Sequence, residues 1–291
     1  MSTKIIFLPD KRKLSYCTLG EGHPVIYFHG TASSRLEVLL LKELSNKTNL
    51  QIIGIDRPGY GLSTYKPRKN LQYFNDDINF LINHLGIKQF SILSWSGGGP
   101  FALAYLSFHP ENIKKTVLVS SPALPFDVST AHNVPFARYV MKMPFFGWIA
   151  INQLRRSVLK ANSNIQAFLN SRQGKQMLRA YSQEDLKFFA DKNWLNLMYN
   201  SMAEAFYQGK PGVKAVLAEH QLFMKPWGLP LNQVPAGKLV VWHGSEDLTC
   251  RVNNAYLISD KICCDLEVFH GKGHCVMFDN IEKLGHILTS N

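Results

Sequence analysis

Apolar and polar positions along this chain follow two rhythms. Lys4–Leu8 and Lys13–Leu19 are short apolar stretches joined by a Pro9-Asp10 turn, and they read as two strands. Pro24-Val-Ile-Tyr-Phe-His-Gly30 is apolar almost throughout, as expected of a strand buried on both faces. Gln51–Asp56, Phe90–Trp95 and Lys115–Ser121 repeat that pattern. Between these runs the apolar residues fall three and four apart. Arg35–Ser45 reads as a helix, and so does Leu71–Leu85 through Phe74, Ile78, Leu81, Ile82 and Leu85, with Gly86 as its stop. Another helix opens at Phe101. Strands and helices in alternation predict an α/β fold, a mostly parallel central sheet with helices on both faces.

The alternation breaks at Pro122. From there to about Asn232 helical spacing continues, clearest over Ala150–Ala161 and Asp185–Phe206, and no strand pattern accompanies it. A strand returns at Lys238–Gly244, then a helix near Asn254–Lys261, a strand at Asp265–His270 and a helix near Ile281–Leu288. The expected organisation is therefore a core of residues 1–121 and 233–291, with 122–232 inserted as a helical cap. Such an insertion lies over the carboxyl ends of the strands, where open α/β sheets bind ligands.

Composition narrows the picture. A chain of 291 residues with 46% hydrophobic content supplies one large core and an insertion. No apolar run reaches about 18 residues, so no bilayer span is expected, and the first ten residues lack the apolar length of a signal peptide. The five cysteines are odd in number and show no metal-ligand spacing, which points to a reducing cytoplasm and to no metal site. Of the net charge of +11, +7 falls in residues 125–232. No nucleic-acid motif and no block of like charges accompanies it, so it reads as solvated lysine and arginine rather than a nucleic-acid surface. Attraction to acidic lipid or an anionic substrate is the sharper alternative. The same span holds 16 of the 34 aromatics and 6 of the 8 methionines, a composition that packs cap on core and suits apolar ligands.

Candidate chemistry centres on Phe90-Ser-Ile-Leu-Ser-Trp-Ser-Gly-Gly-Gly99, a strand running through glycines into a helix. A serine on such a turn projects its hydroxyl out of the sheet beside free helix N–H groups. The turn needs small residues two positions either side of it. Ser96 meets this with Ser94 and Gly98, whereas Ser94 would be flanked by Ile92. A serine nucleophile needs a base, and the base needs an orienting acid. The strand at Leu239–Trp242 exits through His243-Gly-Ser-Glu-Asp247, and the strand at Leu266–Phe269 exits through Gly271-Lys-Gly-His274. Asp247 and His274 thus stand just past strand ends. Glu246 and Asp127 are the competing acid positions. His29 and His243 read as loop braces, Cys275 as buried filler, and Trp95 either as packing beside the turn or as lining of an acyl pocket.

Phe28-His-Gly-Thr-Ala-Ser-Ser-Arg-Leu-Glu37, Asp56-Arg-Pro-Gly-Tyr-Gly-Leu-Ser63, Ser94-Trp-Ser-Gly-Gly98, Trp242–Asp247 and Gly273-His274 together resemble the α/β-hydrolase fold superfamily, in its capped esterase and C–C hydrolase-like branch. The order Ser96, Asp247, His274 matches that of the fold. The resemblance implies Ser96 as nucleophile, His274 as base, Asp247 as its partner, and an oxyanion hole from the N–H groups of Thr31 and Gly97. It implies no metal or cofactor, and a small ester-like substrate with an apolar group. Proline iminopeptidase, C–C hydrolase, thioesterase and lipase chemistries share the triad, as does a receptor that retains it. The iminopeptidase reading is the weaker, because that group typically has tryptophan where this chain has Gly97.

Overall fold

The computed structural model describes residues 2–126 and 137–290. Eight strands form one sheet in the order β1-β2-β4-β3-β5-β6-β7-β8. They are β1 (Thr3–Phe7), β2 (Lys13–Leu19), β3 (His23–Phe28), β4 (Leu50–Ile55), β5 (Phe90–Trp95), β6 (Ile113–Val119), β7 (Leu239–Gly244) and β8 (Asp265–Phe269). β1 and β2 are antiparallel to their neighbours, and β3 to β8 run parallel. The chain leaves β3 for β4 on one side and then for β5 on the other. The switch point of the sheet therefore lies between β3 and β5, with Phe28 paired to Ser94.

Three helices precede β6: α1 (Lys42–Thr48), α2 (Asn75–His84) and α3 (Gly99–Phe108). Between β6 and β7 the described elements are helices alone: α4 (Ala137–Lys142), α5 (Pro144–Ser163), α6 (Ile165–Asn170), α7 (Arg172–Leu178), α8 (Gln183–Ala190), α9 (Lys192–Ala205) and α10 (Lys210–Phe223), then two short 3-10 turns. α11 (Asn253–Ile262) and α12 (Ile281–Thr289) complete the set. Strand residues alternate between two apolar clusters because the strand period is two. Ile26 and Phe28 join Leu103 and Ile258 on one face; Val25 and Tyr27 join Leu44 and Leu288 on the other.

Three helix assignments differ from the periodicity. Arg35–Leu41 is a 3-10 segment capped by Ser34, and α-helix begins only at Lys42. Leu71–Phe74 is likewise 3-10 before α2. Asp185–Phe206 is two helices: Asp191 adopts extended backbone and accepts from Asn193 and Trp194 N–H, so it caps α9 and ends α8. The aromatic spacing runs through this break because both helices pack the same cluster. Among the described residues no helix is long and apolar enough to cross a membrane.

Candidate active site

Ser96 follows β5 with φ of +52°, a left-handed conformation that non-glycine residues seldom adopt. Close packing holds it there. A Cβ on Gly98 would run into the Phe28 carbonyl, and one on Gly97 would strike the Thr31 side chain and lie 3.1 Å from Thr31 N. The glycines thus let the elbow press against the loop that leaves β3. Gly97 sits in the first helical turn, where an N–H has no intrahelical acceptor, and Thr31 N–H makes no hydrogen bond among the described residues. Thr31, Ser96 and Gly97 line one cavity of about 350 Å³ at the carboxyl end of the sheet, and His274 lines it too.

His274 Nδ1 lies 2.7 Å from Asp247 Oδ2. The second carboxylate oxygen, Oδ1, accepts from Thr249 and Cys250 N–H at 2.8 Å each, which orients the acid. His243 Nε2 donates to Cys250 O at 2.5 Å and stands 3.2 Å from Asp247 Oδ2. Burial alone would raise the Asp247 carboxyl, but the His274 charge and the two histidine hydrogen bonds reverse this and hold it well below the usual carboxylate range. Burial likewise pushes the His274 imidazole down. The Asp247 charge and hydrogen bond outweigh it, with help from Asp185 and Glu37, so the ring titrates above an ordinary histidine. Among the described residues no hydrogen bond joins Ser96 Oγ to His274. In enzymes without bound substrate such contacts are often long.

The main chain of His274 is held on every side. Its carbonyl accepts from Trp95 Nε1 and Ser120 Oγ, each at 3.0 Å. Its N–H donates to Asp185 Oδ2 at 3.0 Å, and Cys275 N–H donates to Asp185 Oδ1 at 2.8 Å. Asp185 belongs to α8, where Ser182 and Asp185 also form a capping box. Trp95 is 5% exposed, lies 5.4 Å from the His274 ring and lines the cavity, so it braces His274 and bounds the pocket at once.

A second buried network fixes the Thr31 loop. Arg57 and Glu219, 1% and 0% exposed at the side chain, pair at 2.8 Å. Arg57 also donates to the carbonyls of His29, at 2.5 Å, and Gly30, at 3.1 Å, while Glu219 Oε1 accepts from the Thr31 hydroxyl at 2.9 Å. His29 is fully buried, which with Arg57 nearby holds its pKa well below the ordinary value. Its neutral ring contacts the Gly30 carbonyl through Nδ1 at 2.8 Å. Glu37 lines the cavity, accepts from Tyr27 OH at 2.7 Å and Gly30 N–H at 2.9 Å, and burial raises its carboxyl.

Ser96, Thr31, Gly97, Trp95 and His274 therefore share one cavity, and Asp247 reaches it through His274. Glu246 is exposed and bonds Ser245, away from the imidazole. Asp127 lies outside the described residues. Cys275 is buried, and burial pushes its thiol well up. Asp185, Glu37, Arg57 and Glu219 escaped the sequence reading. Asp185 carried one visible signal, the Ser182-x-x-Asp185 capping pattern ahead of an apolar run.

A family model described as alpha/beta hydrolase fold matches residues 23–281. The chain belongs to the α/β-hydrolase fold family. The "Uncharacterized hydrolase YcgS" of Bacillus subtilis is 30% identical over 112 residues, 38% of this chain and 39% of that one. The "Cis-3-alkyl-4-alkyloxetan-2-one decarboxylase" of Shewanella oneidensis is 26% identical over 144 residues, 48% of this chain and 44% of that one. These alignments thus span about two-fifths of the relatives' lengths. Among solved α/β hydrolases, an esterase from Exiguobacterium antarcticum superposes with TM-score 0.65 and 22% identity, over 98% of this chain and 97% of that one.

Proposed function

We propose that this α/β hydrolase cleaves carboxylic esters carrying an apolar group, through a Ser96–His274–Asp247 triad and an acyl-enzyme. The observation that carries this reading is the left-handed Ser96 facing the same cavity as a histidine already paired to a buried carboxylate. Because His274 Nδ1 is engaged by Asp247, Nε2 is left to take the serine proton as Oγ attacks the carbonyl carbon. Asp247 stays ionised and balances the imidazolium that forms. The N–H groups of Thr31 and Gly97 receive the developing oxyanion. His274 then protonates the leaving alcohol and, in the second half, deprotonates the water that releases the acid.

Residues 122–232 act in this reading as the cap over the pocket. Their contribution to the lining is mostly apolar, with Met141, Ile151, Leu154, Met198, Met202 and Phe223 beside the polar tips of Tyr181 and His220, which supports an acyl or alkyl group over a sugar or peptide. The oxetan-2-one named for the Shewanella relative is a cyclic ester, which fits an ester-directed site. Five unpaired cysteines support a reducing, cytoplasmic setting. The test is labelling with a fluorophosphonate followed by matched ester, thioester and aminoacyl substrates of rising chain length. Labelling at Ser96 and turnover strongest on apolar esters is the expected result. A labelled enzyme that turns over only aminoacyl substrates would replace the ester assignment, and an unlabelled Ser96 would overturn the mechanism.

A further inference from the structure

Among the described residues, α5 carries more exposed large apolar side chains than any other element. Phe145, Phe146, Trp148 and Ile149 are 69%, 52%, 37% and 46% exposed, and Met143 just before the helix is 46% exposed. They crowd the first two turns. Positions 145, 149, 152, 156, 159 and 160 share one helical face, since residues three, four and seven apart stack along an α-helix. That face continues from the aromatic cluster to exposed Arg156, Leu159 and Lys160. The opposite face, with Gly147, Ile151, Val158 and Ala161, is buried. Charge is as one-sided as polarity. From residue 128 to 183 the sequence holds eight lysines and arginines and not one aspartate or glutamate.

We propose that this face is a docking surface for an anionic lipid bilayer. Large apolar side chains that project from a helix beside cations are what a peripheral protein presents to the boundary between headgroups and acyl chains. Phe and Trp enter that boundary while Arg156 and Lys160 reach acidic headgroups. A second copy of the chain is disfavoured as occupant, because a symmetric contact would set the same acid-free basic span against itself. The placement also has a use. Met141 of α4 and Ala150, Ile151 and Leu154 of α5 line the cavity, so the element that meets lipid on one side bounds the pocket on the other. An apolar ligand dissolved in the bilayer would enter beneath the docked helix.

The test is flotation of the purified chain with phosphatidylcholine liposomes, with and without about 30 mol % phosphatidylglycerol, at low and high salt. Binding is expected to be about 10-fold or more tighter to the anionic liposomes at low salt, and to weaken as salt rises. The triple variant Phe145→Ser, Phe146→Ser, Trp148→Ser should lose binding on the order of 100-fold. The pair Arg156→Ser, Lys160→Ser should lose about 10-fold on anionic liposomes and nothing on neutral ones. These positions are exposed, so circular dichroism and turnover of a short water-soluble ester check that the variants remain folded. Ser96→Ala should bind as wild type does, which separates this proposal from the hydrolytic one. No flotation, equal flotation with both liposomes, or aromatic variants that float unchanged would overturn it. So would a wild-type dimer that the triple variant dissolves without any lipid binding.

Discussion

The sheet core and the helical segment between β6 and β7 are built on different principles, and they meet at the site. In the core, neighbouring strands satisfy one another, apolar side chains alternate between two clusters, and turns such as Ser96 are held by backbone packed on backbone. The helical segment is joined largely by aromatic rings and methionine side chains such as Phe189, Trp194, Met198 and Tyr199. Besides its apolar packing on the strands, it is tied to the core by buried polar groups, among them Asp185 on the N–H groups of His274 and Cys275, Glu219 on Arg57 and Thr31, and Ser201 on Ser33 and Ser34. These three ties fall on the loops that carry His274 and Thr31. The difference teaches that the helical segment does more than line the cavity. Its helices also hold the loops that carry His274 and Thr31.

The largest expected effect leaves the insertion untouched. Ser96→Ala should cut ester turnover by about 10⁴-fold or more and abolish fluorophosphonate labelling while the melting temperature stays near wild type. Removing the left-handed strain of that residue calls for glycine instead, so an alanine that melted far lower would show the elbow to be structural. Asp247→Asn comes next. It should reduce kcat by roughly 10³- to 10⁴-fold, because the amide cannot keep the imidazole in the donor tautomer at Nδ1 or balance its charge. Steady-state kinetics on one soluble ester would measure both.

Glu219→Gln attacks the comparison itself. It leaves the buried Arg57 without its counter-charge, and breaking a buried pair from one side costs about 3–5 kcal/mol. Urea unfolding should show that loss, together with a fall in kcat as the Thr31 loop loosens. A stability close to wild type would mean that the carbonyls of His29 and Gly30 suffice for the guanidinium. Asp185→Asn is the mildest change and the most discriminating. One oxygen remains for an N–H, so destabilisation should stay near 1–3 kcal/mol. Asp185 is one of the charges that raise His274, so the variant should also lower the apparent pKa of that ring. In wild type, kcat/KM is expected to rise with pH through a value above the ordinary histidine pKa of about 6.5, since only the neutral ring accepts the serine proton. In Asp185→Asn the rise should move to lower pH. Unchanged midpoints would reduce Asp185 to a helix cap.

Legibility followed the same division. Core strands were readable because burial on both faces makes them continuous apolar runs, as in Pro24–Phe28 and Leu239–Trp242. Ser96 and Asp247 stand just past such runs, whereas His274 follows β8, a half-buried edge strand that carries Asp265 and Glu267. The helix boundaries were not readable, since Ser34 and Asp191 cap by side-chain oxygens that the apolar spacing does not register. Asp185, Glu219 and Glu37 were invisible for a further reason. Their partners lie 90, 162 and 10 positions away, and a lone acid in a helical pattern looks like any solvated one. The cap reading of 122–232 rested on the missing strand pattern alone, and nothing in that pattern distinguishes a surface phenylalanine such as Phe145 from a core one such as Phe206.

The parallel pairing of β6 with β7, Val119 beside Trp242, also orders the events of synthesis. Ser96 leaves the ribosome before the whole helical segment does, and the strands that precede Asp247 and His274 leave after it. β7 can add to the sheet only when the intervening helices have been made and gathered out of its way, a closure that is slow for so distant a contact. Until then Ser96 would lack the proton acceptor proposed for it. A nascent chain stalled short of β7 would therefore carry a chemically silent serine, so the proposed hydrolytic activity would switch on only once the helical segment is already in position above it.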